Sequence, residues 1–497
     1  MVWAVAATAL SACTGSSPHA APVPHPSAAA HSKGIVGVPA AWQLTTPGPE
    51  HAIEGFADRV SVHPGGTVQL FVSTTAPGFH VTAFRIGAYS TGAARIWESG
   101  LLAGHQQPAA VVQEPRHTVV APWTPSIAVD TTGWPPGDYL FRLDATTGAQ
   151  QFVPLTVATP DNRGRIVIVN AVTTWQAYNR WGGDSLYASR TGRMADRSRA
   201  VSFDRPYQAT AMQGAGDFLI FERPFVQFAE RSGLRLGYAT DVDLHADPHL
   251  LDGAAAMVTL GHDEYWSQEE RDNATAARDR GVNLAFLGGN EIYRHMRMEP
   301  SPLGPNRVEV DYKVFEEDPV AATDPAAATT QWRSEPDPRP ESVLLGNFYR
   351  CNPASADMVA VDPGNWLLSG LVTQGEKLPR LIGNEYERVD LDVPTPRPIE
   401  VLFHSPVRCG GMNDFSDATY YSAPSGAGVF SAGTQYWICG LEPSCRGPQV
   451  AAVIDGITTR LLTAFAAGPA GRAHPAVDNL AELGITASPS TSASTSR

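Results

Sequence analysis

The pattern of apolar residues between residues 163 and 290 constrains the fold of this chain most. Residues 166–169 form a continuous apolar run between Arg165 and Asn170, which is typical of a strand buried on both faces. Further apolar runs alternate with segments of helical spacing, the runs at residues 234–239, 254–260 and 282–287 and the helical segments at residues 218–231 and 267–280. Strands that alternate with helices predict an α/β domain with a parallel-rich sheet and flanking helices.

The rest of the chain divides by composition. Its 497 residues suggest two or three domains. Short strand patterns separated by turns such as Pro64-Gly65-Gly66 predict an all-β, immunoglobulin-like sandwich over residues 35–158, before the α/β domain at 159–470. Residues 14–34 contain almost no large apolar side chains and read as a disordered tether, and the tail at 471–497 is predicted to be disordered at its end.

The N-terminus resembles a bacterial lipoprotein signal. Residues 2–12 form a short run of apolar and small residues that ends in Leu10-Ser11-Ala12-Cys13. This run is too short to span a bilayer, although no Lys or Arg precedes it as a signal peptide would require. We therefore expect residues 1–13 to be a signal and lipobox, with Cys13 lipidated and the protein exported and anchored to the cell surface. A chance apolar start is the alternative.

Four further cysteines lie in the last third of the chain, at Cys351, Cys409, Cys439 and Cys445. An even number of cysteines suits an oxidising compartment. Four cysteines allow three connectivities, and the short spacing of Cys439 and Cys445 favours that pair together with Cys351–Cys409. A metal site at these thiols is the weaker alternative, because the sequence has no C-x-x-C motif.

The charge of the chain argues against one class of partner. Its formal net charge is −14, and no cluster of Lys and Arg stands out. Binding to a phosphate backbone depends on such clusters, so we expect no nucleic-acid partner.

Polar and aromatic clusters follow three of the predicted strands. They are TTWQAYNRWGGDSLY at residues 173–187, GHDEYWS at residues 261–267 and GGNE at residues 288–291. Because ligands bind at the carboxyl ends of strands in open α/β sheets, these segments should converge on a site. Each has a structural alternative: the aromatic residues could pack in a core, and Asp263 or Ser267 could cap the following helix.

The same segments, with YATDVDLH and FLGGNEIYRHMR, resemble the C-terminal region of the N,N-dimethylformamidase large-subunit family over roughly residues 161–468. That resemblance implies a mononuclear Fe(III) ion held by two tyrosines and one glutamate, which would be Tyr178, Tyr187 and Glu264. His262 and Asn290 would then assist catalysis beside the ion. The loop between the two tyrosines is shorter here, and the small subunit of that amidase has no counterpart in this chain.

This ligand set is chemically coherent. Phenolate and carboxylate oxygens are hard anionic ligands that favour a ferric ion, and three of them leave coordination positions open for catalysis. His262 or a carboxylate could move a proton to the leaving amine, and Asn290 could orient a water or an oxyanion. The resemblance thus implies an amidohydrolase that acts on a small linear amide.

Other functions compete with this prediction. Glutamine-amidotransferase-like folds, whose layout the α/β pattern suggests, place a nucleophile at a strand-to-helix elbow, but the chain has no G-x-S-x-G motif and the equivalent strand end carries His262 to Glu264. A zinc site of His262, His295 and His404 matches no short ligand motif. A non-catalytic surface protein that binds glycan or another protein is the alternative from a different class. Assembly into a homo-oligomer is left open.

Overall fold

The computed structural model describes residues 37–210 and 212–488 of the chain. The predicted signal at residues 1–13, the predicted tether and the end of the predicted tail lie outside these ranges. The anchor at Cys13 therefore stays a prediction. Across the described ranges, no helix is both long enough and apolar enough to cross a lipid bilayer.

The N-terminal module is built from short strands. They are β1 (Val38–Pro39), β2 (Ile53–Ala57), β3 (Ser61–Val62), β4 (Thr67–Thr74), β5 (Gly78–Ile86), β6 (Ala93–Glu98), β7 (Leu102–Ala103), β8 (Val111–Gln113), β9 (Thr118–Val120), β10 (Ile127–Asp130), β11 (Gly137–Ala145) and β12 (Gln150–Val157). One sheet has the order β1-β6-β5-β11-β12-β3, with β7 paired to β5, and a second has the order β10-β4-β2. Alternating apolar residues such as Val68, Val81 and Phe141 give the two sheets one buried core. This division into seven and three strands departs from the four and three of a constant-type immunoglobulin domain, which corrects the predicted immunoglobulin-like sandwich.

The remainder of the described chain contains both strands and helices. Its strands are β13 (Ile166–Asn170), β14 (Ala200–Ser202), β15 (Leu236–Thr240), β16 (Ala256–Gly261), β17 (Tyr265–Ser267), β18 (Asn283–Gly288), β19 (Arg294–Ser301), β20 (Gly304–Val310), β21 (Thr330–Gln331), β22 (Phe348–Val359), β23 (Lys377–Arg388), β24 (Ile399–Cys409), β25 (Met412–Ser422) and β26 (Gly428–Ser431). Its α-helices are α1 (Val172–Tyr178), α2 (Phe218–Phe221), α3 (Arg223–Arg231), α4 (Asp241–Ala246), α5 (Gln268–Asp279), α6 (Ser342–Leu345), α7 (Trp437–Gly440), α8 (Pro443–Arg446), α9 (Pro448–Ala466) and α10 (Ala470–Ala473).

The central sheet has the order β15-β13-β16-β18-β26-β25-β24. Strands β15, β13, β16, β18 and β26 pair in parallel, whereas β25 pairs antiparallel with both β26 and β24. Because β13, β16 and β18 are neighbours, their carboxyl ends lie side by side at one edge of the sheet.

The prediction of a parallel-rich, glutamine-amidotransferase-like α/β layout is wrong. Of the described residues, 35% are in strands and 20% in helices, and antiparallel or mixed sheets dominate. The cause lies after β18, where long hairpins such as β22–β23 and β24–β25 pair antiparallel without a crossover helix between their strands.

Local signals explain the helix that follows the candidate site. Ser267 is the N-cap of α5: its hydroxyl accepts a hydrogen bond from the Glu270 backbone N–H at 3.2 Å, and the Glu270 carboxylate accepts one from the Ser267 N–H. This reciprocal arrangement is a capping box. Ser267 therefore caps α5, which is the structural role that the sequence analysis gave as the alternative to a role in the site.

The N-terminal module and the central sheet share one apolar core. Phe84, Leu140 and Phe152 of the module lie in the same buried cluster as Trp175 of α1 and Phe225 of α3. The module therefore packs directly on the elements that carry the candidate site.

Both preferred disulfide pairs are present in the structure, which confirms that prediction. Cys351 and Cys409 join β22 to the end of β24 with their Cα atoms 6.2 Å apart, and Cys439 and Cys445 join α7 to α8 with a Cα separation of 5.8 Å. Closing a longer loop restricts the unfolded chain more.

This difference in loop length predicts unequal losses of stability. The separations of 58 and 6 residues correspond to about 4 and about 2 kcal/mol on the chain-entropy scale. We expect the Cys351→Ser/Cys409→Ser pair to lower the free energy of unfolding more than the Cys439→Ser/Cys445→Ser pair, as measured by denaturant unfolding. Titration of four free thiols in unfolded, unreduced wild-type protein would contradict the assignment.

Candidate functional site

The three predicted ligands meet in the structure. Tyr178 is the last residue of α1, Tyr187 follows in the next loop, and Glu264 lies between β16 and β17. The Tyr178 hydroxyl donates to Glu264 Oε2 at 2.6 Å, and the Tyr187 hydroxyl lies 2.7 Å from Oε1 and 2.9 Å from Oε2. Three separate segments thus bring their oxygen atoms to one point at the carboxyl edge of the sheet.

The two tyrosine rings are stacked and partly buried. Their centroids are 4.3 Å apart with an interplanar angle of 19°. Burial, together with the neighbouring carboxylate of Glu264, raises the pKa of both Tyr178 and Tyr187 well above the ordinary value. Without a cation, both side chains are therefore neutral phenols that donate to Glu264.

Glu264 is held as a carboxylate by its surroundings. Burial raises its pKa, but the hydrogen bond and charge of His262, followed by the charges of Lys313 and Arg294, outweigh burial and lower the pKa to about 2. Arg294 Nε lies 3.7 Å from Glu264 Oε1. The backbone N–H of Glu264 donates to Thr174 Oγ1 at 2.9 Å, which ties the residue to α1.

His262 lies beside the three oxygens. Its Nε2 is 3.3 Å from Tyr178 Oη and 3.5 Å from Glu264 Oε2, while its Nδ1 is 3.0 Å from the carbonyl oxygen of Gly289. A proton on Nδ1 that donates to this carbonyl directs Nε2 toward the oxygen cluster. Burial lowers the pKa of His262, but the charges of Glu385 and Glu264 raise it to about 10.

Asn290 follows β18 in a left-handed backbone conformation, with φ of 57°. Asparagine tolerates this conformation better than most residues. Its side chain lowers the pKa of Glu385, and its buried Oδ1 atom has no hydrogen-bond partner in the described structure. A buried acceptor left unpaired is costly in a folded protein, so this oxygen is available to a ligand.

Glu385 is a site residue that the sequence analysis missed. It lies on β23, and its Oε2 is 3.8 Å from His262 Nδ1. The Asn352 side chain donates to its other oxygen, and burial raises the pKa of Glu385. The one available signal is the spacing of Glu385 and Glu387 at alternate positions of a strand, which places both on the same face.

The zinc alternative does not fit the structure. His295 stacks on Trp332 with centroids 4.1 Å apart, and His404 pairs with Asp417 at 2.6 Å, so each has its own partner away from His262. Throughout residues 37–210 and 212–488, no group of three or more His, Cys, Asp or Glu side chains is arranged to hold a metal ion.

The chemistry of the Tyr–Tyr–Glu cluster fits the ferric ion that the resemblance implies. Its donors are two phenol oxygens and one carboxylate, a hard oxygen set that becomes trianionic when both phenols lose their protons. Each phenol oxygen already lies 2.6–2.9 Å from a carboxylate oxygen of Glu264.

Fold and cluster together define a mixed-sheet protein with a site of two partly buried tyrosines and one buried glutamate beside a buried histidine. Residues 80–449 match the model of a protein family described as N,N-dimethylformamidase beta subunit-like, C-terminal, and the chain belongs to this family. The match begins inside the N-terminal module, on β5, earlier than the resemblance seen in the sequence. Membership indicates a hydrolase-like protein.

Other comparisons add little. No curated protein matches the chain. One solved structure with some likeness is a cycloisomaltooligosaccharide glucanotransferase from a Paenibacillus species, complexed with cycloisomaltoheptaose, at 10% identity and a TM-score of 0.16. The likeness covers 49% of this chain and 28% of that enzyme, and it carries no functional argument.

Proposed function

We propose that this protein is an exported hydrolase that cleaves an amide or other C–N bond with a ferric ion held by Tyr178, Tyr187 and Glu264. The convergence of these three side chains from separate segments is the observation that carries the proposal. Family membership supports the class of reaction. The substrate class we propose is small linear amides.

The chemistry of the site can be divided between the ion and the chain. When bound, a ferric ion supplies Lewis acidity, which polarises a carbonyl and lowers the pKa of water. His262 Nε2 faces the cluster and can pass a proton to the departing amine, because Nδ1 is fixed on the Gly289 carbonyl. The Asn290 side chain can orient the reacting water or the developing oxyanion.

Glu385 would support this chemistry by holding its neighbours in place. Its carboxylate lies beside His262 Nδ1 and accepts hydrogen bonds from Asn352 and Gln435, and the Asn290 side chain lowers its pKa. Glu385 therefore interacts with both His262 and Asn290, which follow β16 and β18.

A screen of linear amides tests the proposed activity. We expect iron-loaded wild-type protein to release amine from at least one small amide. The Glu264→Gln variant should release none, because its neutral side chain replaces one anionic ligand. Amine release is measured by chromatography. An iron-loaded protein that hydrolyses no amide in the panel would favour the non-catalytic surface role instead.

The proposed location has its own test. If Cys13 is the lipidated residue, wild-type protein should partition with membranes and Cys13→Ser should be released or left unprocessed. Cell fractionation and the mass of the mature N-terminus measure this. Soluble wild-type protein that keeps Met1 would contradict the anchor.

A further inference from the structure

The two tyrosines are joined by a short segment, residues 179–186, which we name the tyrosine loop. Tyr178 is placed by α1, but Tyr187 lies at the far end of the loop. Apart from one 3₁₀ turn at Trp181–Gly183, the loop has no helix or strand. Gly182 and Gly183 have φ values of 74° and 98°, which most other residues rarely adopt. The position of Tyr187 therefore depends on contacts outside the loop.

Arg205 supplies such contacts from the interior. Its side chain is 1% exposed. Its Nη1 donates to the carbonyl oxygens of Trp181 and Asp184 at 3.1 and 3.0 Å, and its Nη2 donates to that of Asn179 at 3.1 Å. In the described structure its hydrogen bonds go to these carbonyls and to the Gln176 amide oxygen, and none goes to a carboxylate. One guanidinium thus holds three successive parts of the tyrosine loop.

The N-terminal module holds the opposite side of the loop. The Trp181 indole donates to Glu54 Oε2 at 3.0 Å, and its ring meets Trp123 edge-on with centroids 5.7 Å apart. A Cβ at Gly182 would come within 2.6 Å of a methyl group of Val119. The loop is therefore packed between Arg205 and the module and has little room to shift.

We propose that Arg205 is a positioning residue that fixes Tyr187 opposite Tyr178 and Glu264 by holding the tyrosine loop. The role of this positioning in metal binding rests on the proposed function, but the contacts that position the loop do not depend on a metal. The planar fork of arginine presents several donors in fixed directions, whereas a lysine offers a single point charge. Arg205→Lys should leave some of the three buried carbonyls without a donor and loosen the loop.

Hydrogen exchange by mass spectrometry tests the positioning without metal. We expect Arg205→Lys to speed amide exchange in residues 179–187 about tenfold or more while the rest of the chain is unchanged. Arg271→Lys is the matched control, because Arg271 is also 1% exposed and also donates to backbone carbonyls, those of Arg339 and Pro340. The control should leave exchange in residues 179–187 unchanged.

Competition with a chelator then measures the iron affinity of the same variants. Absorption spectra measure their visible band. Loss of an outer contact that orients a ligand typically weakens metal binding about 10–100-fold, so we expect that loss and a shifted band in Arg205→Lys but not in Arg271→Lys. If Arg205→Lys does not fold, Trp181→Phe provides the second variant: it removes the indole hydrogen bond to Glu54 and part of the edge-on contact with Trp123, and it should change both measurements in the same direction.

The outcomes separate the two proposals. Faster loop exchange in Arg205→Lys with a wild-type protein that takes up no iron would support the positioning and refute the ferric site. Unchanged exchange in residues 179–187 of a folded Arg205→Lys variant, or equal changes in the Arg271→Lys control, would overturn the positioning role.

Discussion

Wild-type protein loaded with iron should be coloured, and Tyr178→Phe should lose most of that colour. Tyrosinate bound to a ferric ion gives a ligand-to-metal charge-transfer band in the visible range, and a single site predicts about one iron per chain. Phenylalanine keeps the ring that stacks on Tyr187 at 4.3 Å but removes the oxygen that contacts Glu264. The band should therefore bleach or shift and the iron content should fall, while the domain stays folded.

Tyr238→Phe is the matched control for this experiment. Tyr238 is a buried tyrosine whose hydroxyl, like that of Tyr178, donates to a carboxylate, that of Glu230 at 2.7 Å, but it lies on β15 away from the cluster. This variant should keep full colour and iron. Absorption spectra and metal analysis measure both variants. A wild-type protein that stays colourless and metal-free after reconstitution, or a Tyr178→Phe variant with full colour, would refute the ferric site.

The sequence could predict where most of the site lies because the relevant strands are neighbours. Glu264 follows β16 and Asn290 follows β18, and these two strands pair with each other and, through β16, with β13. The carboxyl ends of neighbouring parallel strands meet at one edge, so polar residues just after each strand meet as well. Tyr178 and Tyr187 reach the same edge through α1 and the tyrosine loop.

The overall layout could not be predicted in the same way. Periodicity identifies a strand but not its direction of pairing. The apolar runs up to β18 suggested a parallel-rich sheet, but β22 pairs antiparallel with β23 across the connection at residues 360–376, and β24 pairs antiparallel with β25 across the turn at Gly410 and Gly411. Glu385 comes to the site on one of these hairpins, so the error in fold class and the missed residue have one cause.

Contacts that depend on exact tertiary position were equally hidden from the sequence. Arg205 lies 18 residues beyond Tyr187 in a segment with no strand or helix pattern, and nothing in the sequence connects it to the carbonyls it binds. Lys313 is similar: its Nζ lies 3.2 Å from the centroid of the Tyr187 ring. A cation placed over an aromatic face is a tertiary feature without a local motif.

Variants of the residues beside the proposed ligands should lose activity without losing the metal. His262→Ala removes the Nε2 atom that faces the cluster but none of the three proposed ligand oxygens. At saturating iron we expect this variant to keep its colour and its iron while kcat for amide hydrolysis falls about 10²–10⁴-fold, the usual contribution of a positioned acid or base. Asn290→Ala should keep iron as well and lose about 10²–10³-fold if its side chain steadies the oxyanion.

Glu385→Gln refines the same experiment. The glutamine side chain keeps the size of the glutamate but removes the charge that lies 3.8 Å from His262 Nδ1. If Glu385 acts by holding His262, the double variant Glu385→Gln/His262→Ala should be little slower than His262→Ala alone, because residues that act as a unit are not additive. Kinetics at saturating iron and metal analysis measure the set. Full activity in His262→Ala, or loss of its iron at saturating metal, would contradict the assignment of His262 to proton transfer beside the ion.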